Sequence, residues 1–272
     1  MRTSLTFLAA ATLLLWNSCA KDLSCYRDMI VGTWVEQTFD GQIPETNQRG
    51  VHIFNYSGQH TIKQMVLPQN GVKVIGNFEM QYLITCKIIT SSGLFSREGI
   101  DAVLYTDFEV LHFTDSTLRI RVVEEIFNGQ VVTPAVTEIT YKKVSAENPN
   151  KQTIQQLWEL TGCSEPDVPP FQIKFGADGT YALYLFAGDE ASEEGAMWIE
   201  KGDEEGLYGV YDSFLMTQFF NNPIFGASDQ SDVACWELLF AEEDTEMTWQ
   251  AVAYRGSERI TRNFTFTLVT EE

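Results

Sequence analysis

Gly32-Thr33-Trp34 opens the first folded stretch of the chain, and Leu157-Trp158-Glu159 opens the second. Phe54-Asn55-Tyr56-Ser57-Gly58-Gln59-His60 follows the first tryptophan, and Phe175-Gly176-Ala177-Asp178-Gly179-Thr180-Tyr181 follows the second. The tryptophans stand 124 positions apart, and the turn glycines Gly58 and Gly179 stand 121 apart. Two landmarks repeated at nearly one offset mark a single module written twice. Around them, aromatic and β-branched residues come in short runs separated by Gly, Asn, Asp and Ser, which is the pattern of strands joined by tight turns.

In the first module the runs predict strands over 31–39, 51–56, 59–66, 72–75, 78–90, 108–113, 117–127 and 131–144, with a polar break over 91–98 around Gly93. In the second they predict strands over 155–161, 171–175, 180–186, 196–200, 207–211, 232–240, 246–254 and 259–269. Ser57-Gly58, Asn128-Gly129 and Asp178-Gly179 supply the hairpin turns. About eight antiparallel strands closed on themselves remove both sheet edges and leave room for one small ligand. The expected fold is therefore all-β, two tandem up-and-down barrels, over 29–147 and 151–272, divided at Asn148-Pro149-Asn150. The stretch 214–225 packs seven large apolar residues into twelve and is expected to plug one barrel end as a short helix or loop, or to serve as a lid.

The formal charge of −20 is uneven. Residues 19–150 hold 11 basic and 15 acidic side chains, and residues 151–272 hold 6 and 23. Such a field disfavours nucleic acid and anionic headgroups as partners. The acidic loops around Asp189-Glu190, Glu193-Glu194 and Asp203-Glu204-Glu205 offer oxygen donors of the kind calcium takes, but not at EF-hand spacing, and read as solvated loops.

Catalytic signatures are absent: no Gly-x-Ser-x-Gly elbow, no His-Glu-x-x-His and no phosphate-cradling glycine loop. No cofactor and no metal site is expected. His52 and His60 flank one hairpin, and a tight register is expected to hold them about 10 Å apart, too far for one metal ion. His112 lies in a later strand. A carboxylate pair for glycoside cleavage has 38 acids to draw on, but nothing singles one out. Cys163 and Cys235 are a possible disulfide, since an exported chain permits one.

Residues 1–18 read as a signal peptide: Arg2, an apolar run from Leu5 to Leu15, then Trp16-Asn17-Ser18-Cys19. This ending resembles the lipobox of bacterial lipoproteins, in which the cysteine is acylated. Cys19 is then the lipidation site, residues 19–28 the tether, and the bilayer a partner through the acyl chains. Ala20 after the cysteine resembles lipoproteins sent to the outer membrane, facing the periplasm or the cell surface. The Gly-x-Trp at the first strand, the Phe-x-x-x-Gly hairpin and the train of meandering strands resemble the lipocalin-like lipoproteins of Bacteroidetes-type bacteria. The resemblance implies that Trp34 closes a barrel end against a basic residue of the last strand, Lys142 or Lys143, with Trp158 its worn equivalent. It implies a non-enzymatic lipoprotein that binds a small hydrophobic or amphipathic ligand, with Trp198, Tyr208 and Tyr211 the guessed lining. The alternatives are a surface adhesion or assembly protein with filled barrels, and an enzyme using paired carboxylates.

Overall fold

A computed structural model describes residues 26–44, 49–66, 73–85, 87–97, 100–134, 136–164, 168–187, 197–200, 206–219, 232–241, 243–255 and 258–270. The chain divides into two compact units. One holds residues 1–42 and Gly50–Lys143, the other Ile43–Arg49 and Val144–Glu272. Both are closed antiparallel barrels of eight strands.

The first barrel runs through β1 (Gly32–Phe39), β2 (Val51–Phe54), β3 (Gln59–Val66), β4 (Lys73–Thr85), β5 (Ile88–Arg97), β6 (Ile100–Phe113), β7 (Thr117–Phe127) and β9 (Glu138–Lys143). Each strand pairs with the next, and β9 returns to β1. The two-residue β8 (Gln130–Val131) extends only the end of β7. The second barrel repeats the scheme with β10 (Leu157–Cys163), β11 (Phe171–Phe175), β12 (Thr180–Ala187), β14 (Gly206–Tyr211), β15 (Phe214–Phe219), β16 (Asp232–Phe240), β17 (Glu246–Arg255) and β18 (Glu258–Leu268), closed by β10–β18. Here β13 (Met197–Glu200) is the appended strand, on β12.

Several expectations fail on the strands. The predicted 72–75 and 78–90 are instead one strand, Lys73–Thr85, and the start of the next at Ile88, and the predicted 131–144 is two strands, Gln130–Val131 and Glu138–Lys143. The polar stretch 91–98 is no break, because β5 continues through it to Arg97. Its small residues face a crowded interior: a Cβ on Gly93 would lie 2.7 Å from Met80 Cγ and 3.1 Å from the Glu79 carbonyl. The stretch from Phe214 is not a helix or loop as far as Phe219, because it is β15, paired along its whole length with β16. Its apolar density belongs to a strand covered on both faces: Leu215 turns into the core, and Phe214 and Met216 on the other face are buried as well, with Arg49 over the Phe214 ring. Residues 220–225 lie outside the described residues.

A short helix precedes each barrel, α1 at residues 26–30 and α2 at Asn150–Thr153. Each delivers a buried isoleucine, Ile30 or Ile154, whose carbonyl accepts the indole N–H of the tryptophan four residues on. The distances are 2.6 Å for Trp34 and 3.0 Å for Trp158. Both indoles are fully buried with their one donor satisfied, so each contributes its packing without an orphan polar group.

The repeat extends to the hairpins. Tyr82 and Tyr208 each donate their amide to the turn glycine, Gly58 or Gly179, and their hydroxyl to the carbonyl of Asn55 or Gly176. Both glycines have a positive φ, +86° and +88°, which the tight turn requires.

The two cores differ. The second barrel has one continuous apolar cluster with Trp158, Phe171, Phe175, Trp236, Trp249, Phe264 and Phe266 at its heart. The first has a main cluster around Trp34, Phe54, Ile89, Leu118 and Tyr141, and a separate small one of Ile62, Met80 and Leu104 with Phe127 against it. In the second unit Arg49 is buried, its guanidinium 4.4 Å from the Phe214 ring centre and 2.8 Å from Glu237 Oε1.

Candidate functional site

Polar side chains form a belt across the inside of the first barrel. Glu36 on β1, His52 on β2, His60 on β3 and Ser91 on β5 are all buried. Trp34 and Glu36 are two residues apart and face inward together, as strand alternation requires. His52 pairs with Ile62, and Phe54 with His60, so the two histidines are diagonal neighbours, two residues apart along the ladder. Diagonal neighbours on one face lie within reach of long side chains. The expected separation of about 10 Å is thereby overturned: His52 Nδ1 and His60 Nε2 are 2.9 Å apart.

The contacts form a single chain. Glu36 Oε1 lies 2.9 Å from His52 Nε2, His52 Nδ1 2.9 Å from His60 Nε2, and His60 Nδ1 2.9 Å from Ser91 Oγ. The other carboxylate oxygen, Oε2, accepts the Gly50 amide at 2.6 Å. With Glu36 ionised and both imidazoles neutral, one arrangement satisfies every contact. His52 donates from Nε2 to Glu36, His60 donates from Nε2 to His52, and Ser91 donates to His60 Nδ1. Every link then holds one proton. Burial, with the neighbouring His52, pulls the His60 pKa well below its ordinary value. Phe54 stacks flat on His60 at 4.0 Å, and Tyr141 meets His52 edge-on at 5.0 Å. Burial, with Glu36 nearby, holds the Tyr141 phenol protonated.

The belt continues across β5, β6 and β7. Ser91 faces Thr106, and Thr106 faces Glu125. Thr106 is buried. Burial lifts the Glu125 carboxyl above its usual range, and its Oε1 is covered and without a hydrogen-bond partner.

The second barrel shows that the fold does not demand this belt. Leu160 stands in the place of Glu36 and Phe266 in that of Tyr141, each pair lying opposite across the closing seam just before a bulge. Ile173 replaces His52 opposite the tryptophan, and Tyr181 replaces His60 opposite the Phe. Thr217 replaces Ser91, and Ala234 replaces Thr106. The one hydroxyl retained on the belt side of β15, Thr217, accepts the Trp236 indole N–H at 3.0 Å.

The residues expected from sequence fall elsewhere. Trp34 is at the barrel end, with Lys143 Nζ 5.2 Å from its ring centre and donating to the Met29 carbonyl at 2.7 Å. Lys143 is thus the basic neighbour, and Lys142 is exposed. Trp158 faces Leu268 at the matching position, where the first barrel has Lys143. Tyr208 is a strut, its hydroxyl on the Gly176 carbonyl and its ring against Phe175. Tyr211 lies over Gly209, where an added Cβ would meet its hydroxyl at 2.8 Å, and burial raises its pKa. The Trp198 side chain lies outside the described residues, as do Cys19, Cys25, Cys86 and both acidic loops. His112 is exposed on β6.

Cys163 and Cys235 are not bonded to each other, which corrects the possible disulfide. They sit on β10 and β16, with β17 and β18 between them in the strand order, roughly three spacings of 4.8 Å. Cys235 Sγ donates to the Arg49 carbonyl at 3.3 Å. Among the described residues no group of three or more His, Cys, Asp or Glu side chains could hold a metal ion, and no helix is long and apolar enough to cross a membrane.

Comparison with protein-family models, curated proteins and solved structures gave no match for this chain.

Proposed function

We propose that the chain is a non-enzymatic lipoprotein, held at the outer membrane through acylated Cys19, whose first barrel carries a small amphipathic ligand. The observation that carries this reading is the belt of Glu36, His52, His60, Ser91, Thr106 and Glu125 inside a barrel whose twin fills the same positions mostly with apolar groups. Polar groups in a core cost stability unless they are hydrogen-bonded, and at the end of this belt Glu125 Oε1 has no partner within the protein. The contact of Lys143 with Trp34 supports the lipocalin-like resemblance, and the lipobox supports the address.

A second reading attaches to the other half. The continuous aromatic core of the second barrel favours a structural or partner-binding role for that barrel, using its outer face.

The test joins address and cargo. Labelled palmitate is expected on the wild type and not on Cys19→Ala, which leaves the membrane fraction. Native mass spectrometry of protein extracted from membranes is expected to show one small molecule per chain, lost when Ser91→Leu and Thr106→Leu fill the belt. Protein that carries nothing, and whose melting temperature no lipid, haem or glycan moves, overturns the carrier reading.

A further inference from the structure

The belt divides into two parts with different needs. From Glu36 to Ser91 every ring nitrogen and both carboxylate oxygens have partners within the protein. At the far end, Glu125 Oε1 is covered and has none. A buried acceptor left unmatched costs as much as a hydrogen bond contributes, so such a group points to a missing donor. The register fixes its surroundings. Thr106 lies directly opposite, and Ser91 opposite Thr106, so the three share one face. Next to them on the same strands are Leu104 and Phe127, which join Ile62 and Met80 in the small apolar cluster apart from the main core.

We propose that Glu125 anchors the head of the first barrel's ligand, and that this ligand bears a primary or secondary ammonium group on an apolar body that lies against Ile62, Met80, Leu104 and Phe127. An ammonium donates a charge-assisted hydrogen bond to the orphan oxygen and can donate again to Thr106. A fatty carboxylate would instead set a second carboxyl against Glu125. The chain's charge of −20 also raises the local concentration of cations and lowers that of anions. Burial disfavours the ionised Glu125 carboxylate, and a bound ammonium opposes that effect.

The inference rests on the carrier reading, and one titration separates the two. Calorimetry at pH 7, with amphiphiles below their micelle concentrations, compares dodecylammonium, dodecanol and dodecanoate on wild type and Glu125→Gln. The expected result is at least about tenfold preference for the ammonium, with a loss of about 10- to 100-fold in Glu125→Gln, while dodecanol changes by less than about twofold. Equal binding of all three, or ammonium binding that Glu125→Gln leaves unchanged, overturns the anchor and leaves the carrier standing. No binding of any of the three to wild type sinks both.

Discussion

His52 and His60 face each other Nδ1 to Nε2 at 2.9 Å, and a gap of that kind holds one proton. The chain from Ser91 to Glu36 can therefore absorb a single extra proton with every link kept. That proton enters at His60 Nδ1, and successive transfers can pass it to Glu36. A second proton sets two cations and two N–H groups against each other.

This gives a pH dependence with a definite sign. Burial lowers the His60 pKa from 6.5, so between the two values the unfolded chain holds more protons than the folded one. Stability from this group is complete above about pH 6.5 and is lost as pH falls below it, at no more than about 1.4 kcal/mol per pH unit. Hydrogen exchange of β3 and β5 amides at pH 7.5 and 5.5 checks this. His60→Tyr, which installs the second barrel's residue, is expected to flatten the dependence. Equal protection at both pH values in the wild type counts against it.

Glu36→Gln is expected to turn the chain around. The new amide oxygen accepts from Gly50, and its NH2 donates to His52 Nε2. His52 and His60 must then both carry their protons on Nδ1. Long-range proton–nitrogen NMR spectra distinguish the two tautomers, with Nε2–H expected for both histidines in the wild type and Nδ1–H for both in the variant. Glu36→Ala leaves the Gly50 amide and His52 unmatched and is expected to cost about 1–3 kcal/mol or more.

Gly32 and Lys143 are coupled. A Cβ on Gly32 would sit 2.8 Å from Lys143 Cε, and its φ of +132° disfavours other residues. The second barrel has Gln156 and Leu268 in these two places, the glycine and the cation having gone together. Lys143→Leu is expected to cost about 1–2 kcal/mol through the lost Trp34 and Met29 contacts. Gly32→Ala is expected to cost more alone than on the Lys143→Leu background. A double-mutant cycle by urea unfolding measures the difference, and additive effects would refute the coupling.

Glu125→Gln is expected to be at least as stable as wild type at pH 7. Burial raises the Glu125 pKa from 4.5, so its stabilising contribution is present below that value and is lost as pH rises through the folded pKa. An amide removes the cost of the buried charge. Thermal unfolding of the two proteins at pH 5 and 7 is expected to show the gap widening with pH.

Iodoacetamide applied to folded protein is expected to spare Cys235, which is 1% exposed. In denaturant without reductant, both Cys163 and Cys235 are expected to be alkylated. A cross-linked Cys163–Cys235 peptide on mass analysis would contradict the thiol assignment.

The architecture was legible because its signals are local. Tight turns announce themselves as Ser57-Gly58, Asn128-Gly129 and Asp178-Gly179, and the repeated tryptophans align the copies. The belt was not, because it depends on register. Whether His52 meets His60 turns on a diagonal offset of two residues that no local pattern encodes. Ser91 misled for a related reason: a serine facing a polar interior looks like a turn residue when the interior is assumed apolar. Phe214–Phe219 misled the other way, its apolar run Phe214–Met216 resembling a plug although it is a strand buried on both faces. The one available clue was alternation. Trp34 and Glu36 share a face, and a carboxylate two residues from a fully buried indole must itself turn inward.

The imidazole link at the centre of the first barrel gives the protein a built-in reporter. Its N–H protons are shut away from water and tied to strong acceptors, so they exchange slowly and resonate far downfield of the amide envelope. Cargo arriving at Glu125, two strands beyond Ser91 in the same row, would move those signals without any label or probe. An occupied barrel could then be told from an empty one in crude extract, by reading two lines of a proton spectrum.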